Sequence, residues 1–262
     1  MPPGSSRLTF VPDSGSPTAA CRSGATRRRL LLLYRTLWRD HGKLDWWPGR
    51  TRFEIIVGAI LTQNTAWRNV EKAIIALRDH TWLRVDAMRT LPEPKLAEAI
   101  RASGYFRQKA RKLKAFVRYL DERHGGRLAQ MARAPTDSLR AELLGIWGIG
   151  PETADSILLY AFDRPVFVVD AYTHRILHRH ALHPGGGYEA LRFFLEENLP
   201  RRTGLYNDFH AQLVWVGHRF CRTNPRCDRC PLAGLLPKGG ALPDSPARAR
   251  RGRALRGAGR TG

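Results

Sequence analysis

The stretch Leu143-Leu144-Gly145-Ile146-Trp147-Gly148-Ile149-Gly150-Pro151-Glu152-Thr153-Ala154 carries more information than any other in this 262-residue chain. Two glycines spaced by one apolar residue predict a tight turn, and Pro151 then takes a first helical position, where its missing N–H costs nothing. Backbone N–H groups exposed at such a turn suit a phosphate oxygen, and glycine lets the backbone approach one closely. On local grounds alone an ordinary turn between two packed helices is the plainer reading. What surrounds the stretch decides the matter.

Upstream and downstream the pattern is helical. Apolar residues recur at i, i+3, i+4 and i+7 in Val70/Ala73/Ile74/Leu77, in Leu113/Phe116/Val117/Leu120 and in Ala154/Ile157/Leu158/Ala161. Turn residues separate such segments, as at Gly125-Gly126 and Gly185-Gly186-Gly187. One strand-like run, Pro165-Val166-Phe167-Val168-Val169, has no second strand to pair with. The fold class expected is all-α.

The formal charge is +21 with a pI near 11.0. The ends, residues 1–29 and 241–262, carry nine of those charges, which leaves +12 on the body. A polyanionic partner is implied, because each neutralised phosphate releases condensed counterions. No apolar run approaches the roughly 20 residues of a membrane span, and no secretory signal is evident, so a soluble, intracellular protein, cytoplasmic or nucleoid-associated, is expected. Residues 1–24 and 239–262, rich in Ser, Pro, Gly, Ala and Arg, are expected to be disordered. Four cysteines, three of them crowded at Cys221, Cys227 and Cys230, look like a metal or cluster loop rather than a disulfide framework.

Eighteen residues after Glu152 comes Val168-Val169-Asp170-Ala171-Tyr172-Thr173-His174-Arg175. An Asp after an apolar run is a natural helix N-cap. Together the two stretches resemble the endonuclease III superfamily of helix-hairpin-helix DNA glycosylases, whose signature is a GxGxxTA hairpin followed at this separation by VD and then an Arg. The resemblance spans about residues 44–232. It implies two helical domains flanking a DNA-binding cleft: residues 44–164 with the hairpin, and residues 25–43 plus 165–238 with the cysteine loop. Asp170 would be the catalytic carboxylate, placed where positive charge develops as a glycosidic bond breaks. Gly148, Gly150 and Thr153 would hold DNA, and Gln63 of Leu61-Thr62-Gln63-Asn64-Thr65 would enter the gap left by a flipped nucleotide. The implied partner is double-stranded DNA carrying a damaged base, and the implied state a monomer.

Three departures refine the resemblance. Glu152 stands where the family's lyases carry the Lys that forms a Schiff base, so a monofunctional glycosylase is expected. Asp45-Trp46-Trp47-Pro48, Phe53-Glu54, Leu61-Thr62-Gln63-Asn64-Thr65, Arg101-Ala102-Ser103-Gly104-Tyr105 and Gln108-Lys109-Ala110 look closer to the superfamily's 3-methyladenine branch, in which Trp46 and Trp47 would line the base pocket. A cationic alkylated purine stacked on indole would gain roughly 0.5–2 kcal/mol. Finally, Cys221, Cys227 and Cys230 resemble the loop that holds a 4Fe-4S cluster, but Leu236 stands at the fourth ligand position, for which Cys21, His218 or a non-protein donor could substitute; His218 with the three thiols would instead suit zinc, and a relic loop without metal is the remaining alternative. The alternatives are an oxidised-pyrimidine glycosylase with lyase activity, and a non-catalytic helix-hairpin-helix DNA-binding protein.

Overall fold

The computed structural model describes residues 19–44 and 47–243, with residues 19–23 described in backbone alone. Trp46 and the terminal segments 1–18 and 244–262 lie outside the described residues. Among the described residues the regular structure is helical and no strand forms, as expected. Helix α1 (Ala19–His41) begins inside the stretch expected to lack structure. Among the described residues no helix is long and apolar enough to cross a membrane.

Helices α2 (Arg52–Leu61), α3 (Trp67–Asp79), α4 (Val85–Thr90), α5 (Glu93–Ala99), α6 (Phe106–His124), α7 (Leu128–Met131), α8 (Thr136–Gly145) and α9 (Pro151–Ser156) surround one hydrophobic core. Thr51 caps α2 by accepting a bond from the Glu54 N–H, and most of that helix is buried, which makes it the central post. The stripes on α3 and α6 face this core. A second core is built by α1, α10 (Ala171–Arg179), α11 (Tyr188–Asn198) and α12 (Thr203–Arg219).

Between the cores the helical period changes. The stripe at Ala154–Ala161 does not continue as α-helix; Ile157–Ala161 forms a π-helical turn. Its wider winding places Ile157, Leu158 and Ala161 in the first core and Leu159 and Tyr160 in the second. The extended segment that follows satisfies its backbone without a partner strand. The Phe167 N–H donates to Glu196 Oε1 at 2.8 Å and the Val169 N–H to the Tyr188 hydroxyl at 3.4 Å. Trp47 and Ile55 pack against both cores. Asp170 sits at the end of this crossing.

Candidate active site

The hairpin has the geometry its glycines require. Gly148 lies at φ +83°, in the left-handed region, and a Cβ there would also come within 2.6 Å of the Lys112 stem. Gly150 is the extended N-cap residue of α9, with Pro151 in its first turn. Ile146 and Ile149 are buried as anchors, whereas Trp147 is 58% exposed at the tip.

Gln63 reaches this turn. Its Nε2 donates to Gly148 O at 3.0 Å and to Thr153 Oγ1 at 2.9 Å, while its Oε1 accepts a bond from Lys112. Thr153 is buried, so its hydroxyl serves Gln63 here. The loop bearing Gln63 is held from behind by Lys109. That buried ammonium donates to Leu61 O at 2.8 Å, Thr65 Oγ1 at 2.5 Å and Ser103 O at 2.6 Å. Burial, with the neighbouring Lys112 charge, lowers its pKa to about 8. The same clamp fixes the turn before α6, where Tyr105 stands 70% exposed at φ +44°. Its exposure depends on that backbone conformation, which the sequence does not announce.

Asp170 is both cap and candidate catalyst. One oxygen, Oδ1, accepts bonds from the Thr173 N–H at 2.7 Å and the Thr173 hydroxyl at 2.9 Å. The other, Oδ2, lies 3.8 Å from His210 Nε2. Glu152 faces the same space. Its surface is open to solvent, yet protein crowds its other sides, and that partial burial with the Asp170 charge raises its pKa to about 7. The lysines beside the hairpin, Lys109 and Lys112, have their ammonium groups engaged as described above.

Behind the site, Asp155 is fully buried under α8 and α11. Arg140 grips it through two bonds of 2.6 and 3.0 Å, Tyr188 donates to it at 2.9 Å, and Arg192 lies 3.9 Å away. Because Tyr188 also receives the Val169 N–H, this cluster fixes the residue preceding Asp170.

Trp47 is not helical. It sits at φ +68°, stacks on Tyr160 at 4.7 Å and 16°, and meets Trp67 edge-on at 5.4 Å. One indole face is therefore committed to the protein. Tyr160 in turn meets His210 Nδ1 at 2.5 Å. Neither Tyr160 nor His210 stands out in the sequence, since each lies inside an apolar helical run and reads as core.

Cys221, Cys227 and Cys230 line one cavity with Phe220, Leu232 and Leu236. Its volume of ≈ 20 Å³ is that of a water molecule or two. Burial pushes the Cys230 thiol up to about 11. Leu236 lines the cavity, and so do His180 and Arg179, whose guanidinium donates to Cys221 Sγ at 3.3 Å; His218 is exposed and is not among the cavity's walls. Among the described residues no group of His, Cys, Asp and Glu is arranged to hold a metal ion, and the Cys21 side chain lies outside them.

Residues 57–201 match the profile of the HhH-GPD superfamily base excision DNA repair proteins. A relative from Methanocaldococcus jannaschii, named "Putative DNA repair glycosylase MJ1434", is 43% identical over 203 residues, covering 76% of this chain and 92% of its own. Endonuclease III of Thermotoga maritima is 32% identical over 199 residues, covering 74% and 84%. Among solved structures, the H. pylori 3-methyladenine DNA glycosylase bound to 1,N6-ethenoadenine superposes with a TM-score of 0.64 at 26% identity, covering 74% of this chain and 97% of that one.

Proposed function

Because the chain belongs to the HhH-GPD superfamily of base excision DNA repair proteins and is a DNA N-glycosylase, we propose that it is monofunctional, that Asp170 is its reacting carboxylate, and that its substrate is an alkylated purine. The observation that carries this reading is that Glu152 lies close enough to Asp170 to feel its charge, with no lysine at the position of Glu152. A carboxylate there cannot form an imine with the opened sugar.

The chemistry follows from the two oxygens of Asp170. Oδ1 is fixed by Thr173, which leaves Oδ2 to face the anomeric carbon as the C1′–N bond lengthens and its electron pair departs with the base. A cationic 3-alkylated purine leaves as a neutral molecule and needs no protonation. Glu152, half-ionised near pH 7, is placed to accept the proton that the attacking water loses as it adds to C1′. Trp47 offers its uncommitted face to the flipped base. Gln63 and the exposed Tyr105, carried by loops that Lys109 clamps together, would fill the space the nucleotide vacates. Gly148 and Gly150 would approach the backbone phosphates. The likeness to the 3-methyladenine glycosylase supports the substrate class.

Oligonucleotides carrying single defined lesions test the whole reading. The expected product is an intact abasic strand that breaks only on alkaline treatment, with no protein–DNA adduct trapped by borohydride. A trapped adduct in good yield would assign the chain to the lyases instead.

A further inference from the structure

We infer that Tyr160 and His210 are a buried positioning pair for Asp170, so that the wall of the base pocket and the reacting carboxylate form one connected unit. The inference rests on Asp170 being the group that reacts. The chain of contacts runs from the Trp47 indole, stacked on the Tyr160 ring, through the Tyr160 hydroxyl to His210 Nδ1 at 2.5 Å, and from His210 Nε2 to Asp170 Oδ2 at 3.8 Å.

Three features separate this arrangement from ordinary core packing. An imidazole and a phenol buried between two cores are costly unless their polar atoms are used. Tyr160 reaches His210 because the π-helical turn rotates it out of the first core, and such turns recur at functional sites. The third feature is chemical. When the Tyr160 hydroxyl donates to Nδ1, the ring proton belongs on Nε2, the atom that faces Oδ2. Burial disfavours the imidazolium, so His210 presents Asp170 with an N–H dipole rather than a full positive charge. A cation there would cancel the negative charge that the positive charge developing on the sugar requires. At 3.8 Å the contact is about 0.6–1 Å longer than a hydrogen bond, which fits a catalytic contact that tightens only once substrate is bound.

Two measurements test the pair. In ¹⁵N-histidine NMR of the DNA-free protein at pH 7, His210 should be neutral with its proton on Nε2, and Tyr160→Phe should disturb that tautomer. A proton on Nδ1 in the wild type would overturn the proposal, and this readout needs no substrate. In single-turnover release of 3-methyladenine from dimethyl sulfate-treated DNA, Tyr160→Phe should lower the rate about tenfold and His210→Leu about a hundredfold. His210→Gln, which can accept from Tyr160 and donate to Asp170, should recover most of the loss, with affinity for abasic DNA unchanged throughout. Folded Tyr160→Phe and His210→Leu proteins that both turn over at the wild-type rate would overturn it as well. Should Asp170→Asn retain turnover, the assignment of Asp170 fails, and the positioning role fails with it; loss at Asp170 with wild-type rates at the pair removes the pair alone.

Discussion

Asp155 and Asp170 lie on consecutive elements of the same hairpin-and-crossing unit, and the protein treats them in opposite ways. Asp155 is sealed from solvent and gripped by Arg140, Tyr188 and Arg192. Asp170 is only partly buried and is held by uncharged donors from Thr173, with the buried His210 imidazole as a neighbour and a second carboxylate, Glu152, beside it. In a chain of formal charge +21, keeping arginine and lysine off one carboxylate requires construction. A buried carboxylate ringed by guanidinium groups has its field neutralised and serves the fold; one held by hydroxyl and amide keeps its field for charge that develops elsewhere.

The contrast breaks first if Asp170 proves dispensable. Asp170→Asn should reduce base release by at least about a hundredfold to a thousandfold, the range for losing one preorganised electrostatic contact. Asn caps a helix as well as Asp does, so the thermal midpoint should move by no more than about 2 °C. Binding to lesion DNA should persist. Turnover near the wild-type level, measured under single-turnover conditions, would sink the assignment.

Asp155→Ala should show the reverse pattern. Removing the acid takes away the buried partner of Arg140 Nε and of the Tyr188 hydroxyl, while Glu189 and Glu196 still pair the two guanidinium groups, so the cost should approach the about 3–5 kcal/mol of a broken buried pair from below. Urea unfolding reads that loss directly. A cost under about 1 kcal/mol would mean the cluster is more solvated than its geometry indicates, and the distinction between the two aspartates would weaken.

Glu152 sharpens the comparison through pH. Its folded pKa, about 7, exceeds the ordinary value of 4.5, so between those limits the native state holds more protons than the unfolded chain. Stability must then fall as pH rises from about 4.5 to 7, because the fold opposes ionisation of Glu152, through burial first and the Asp170 charge second. Glu152→Gln should flatten that part of the stability profile. It should also remove the limb of the activity profile near pH 7 if Glu152 takes the proton from water. An unchanged slope in denaturation curves collected across this window would show that the two carboxylates do not feel each other.

How much of this was legible beforehand depended on whether a residue's role is local. The all-α class followed from 3.6-residue stripes on α3 and α6, which became core faces. The hairpin's φ +83° glycine and the Asp170 cap are likewise local chemistry, written in a few consecutive residues. What could not be read is what depends on distant contacts. The stripe after Ala154 looked like continuous α-helix, yet the need to feed two cores turned it into π-helix. Gln63 read as a free wedge, whereas Lys112 and Thr153, far away in sequence, occupy its amide in the DNA-free state. Lys109 stood out only as part of a family-like segment, and Tyr160 and His210 gave no signal, since a polar group buried for a purpose resembles, in one dimension, an interruption of an apolar run.

The smallest expected effect concerns the base itself, and it follows from Trp47 having one committed face. Its stack on Tyr160 and its edge contact with Trp67 hold the indole in a left-handed backbone conformation that costs on the order of 1–3 kcal/mol elsewhere, a strain maintained only where the surroundings over-determine it. If the free face stacks on a cationic purine, Trp47→Ala loses that stacking, roughly 1–3 kcal/mol, and excision of 3-methyladenine should drop about 5- to 150-fold. Because the same substitution removes packing between the two cores, the rate alone is ambiguous. Binding to abasic DNA, which presents no base to stack, separates the two effects and should change little. Trp47→Phe supplies the finer comparison: it keeps an aromatic face for both Tyr160 and the base but presents a weaker quadrupole to a cation, so its deficit should be greater for 3-methyladenine than for a neutral lesion. Release of 3-methyladenine should also exceed release of thymine glycol under identical conditions. The reverse order would mean that the site selects an oxidised pyrimidine, and that the indole is a structural wall between the two cores.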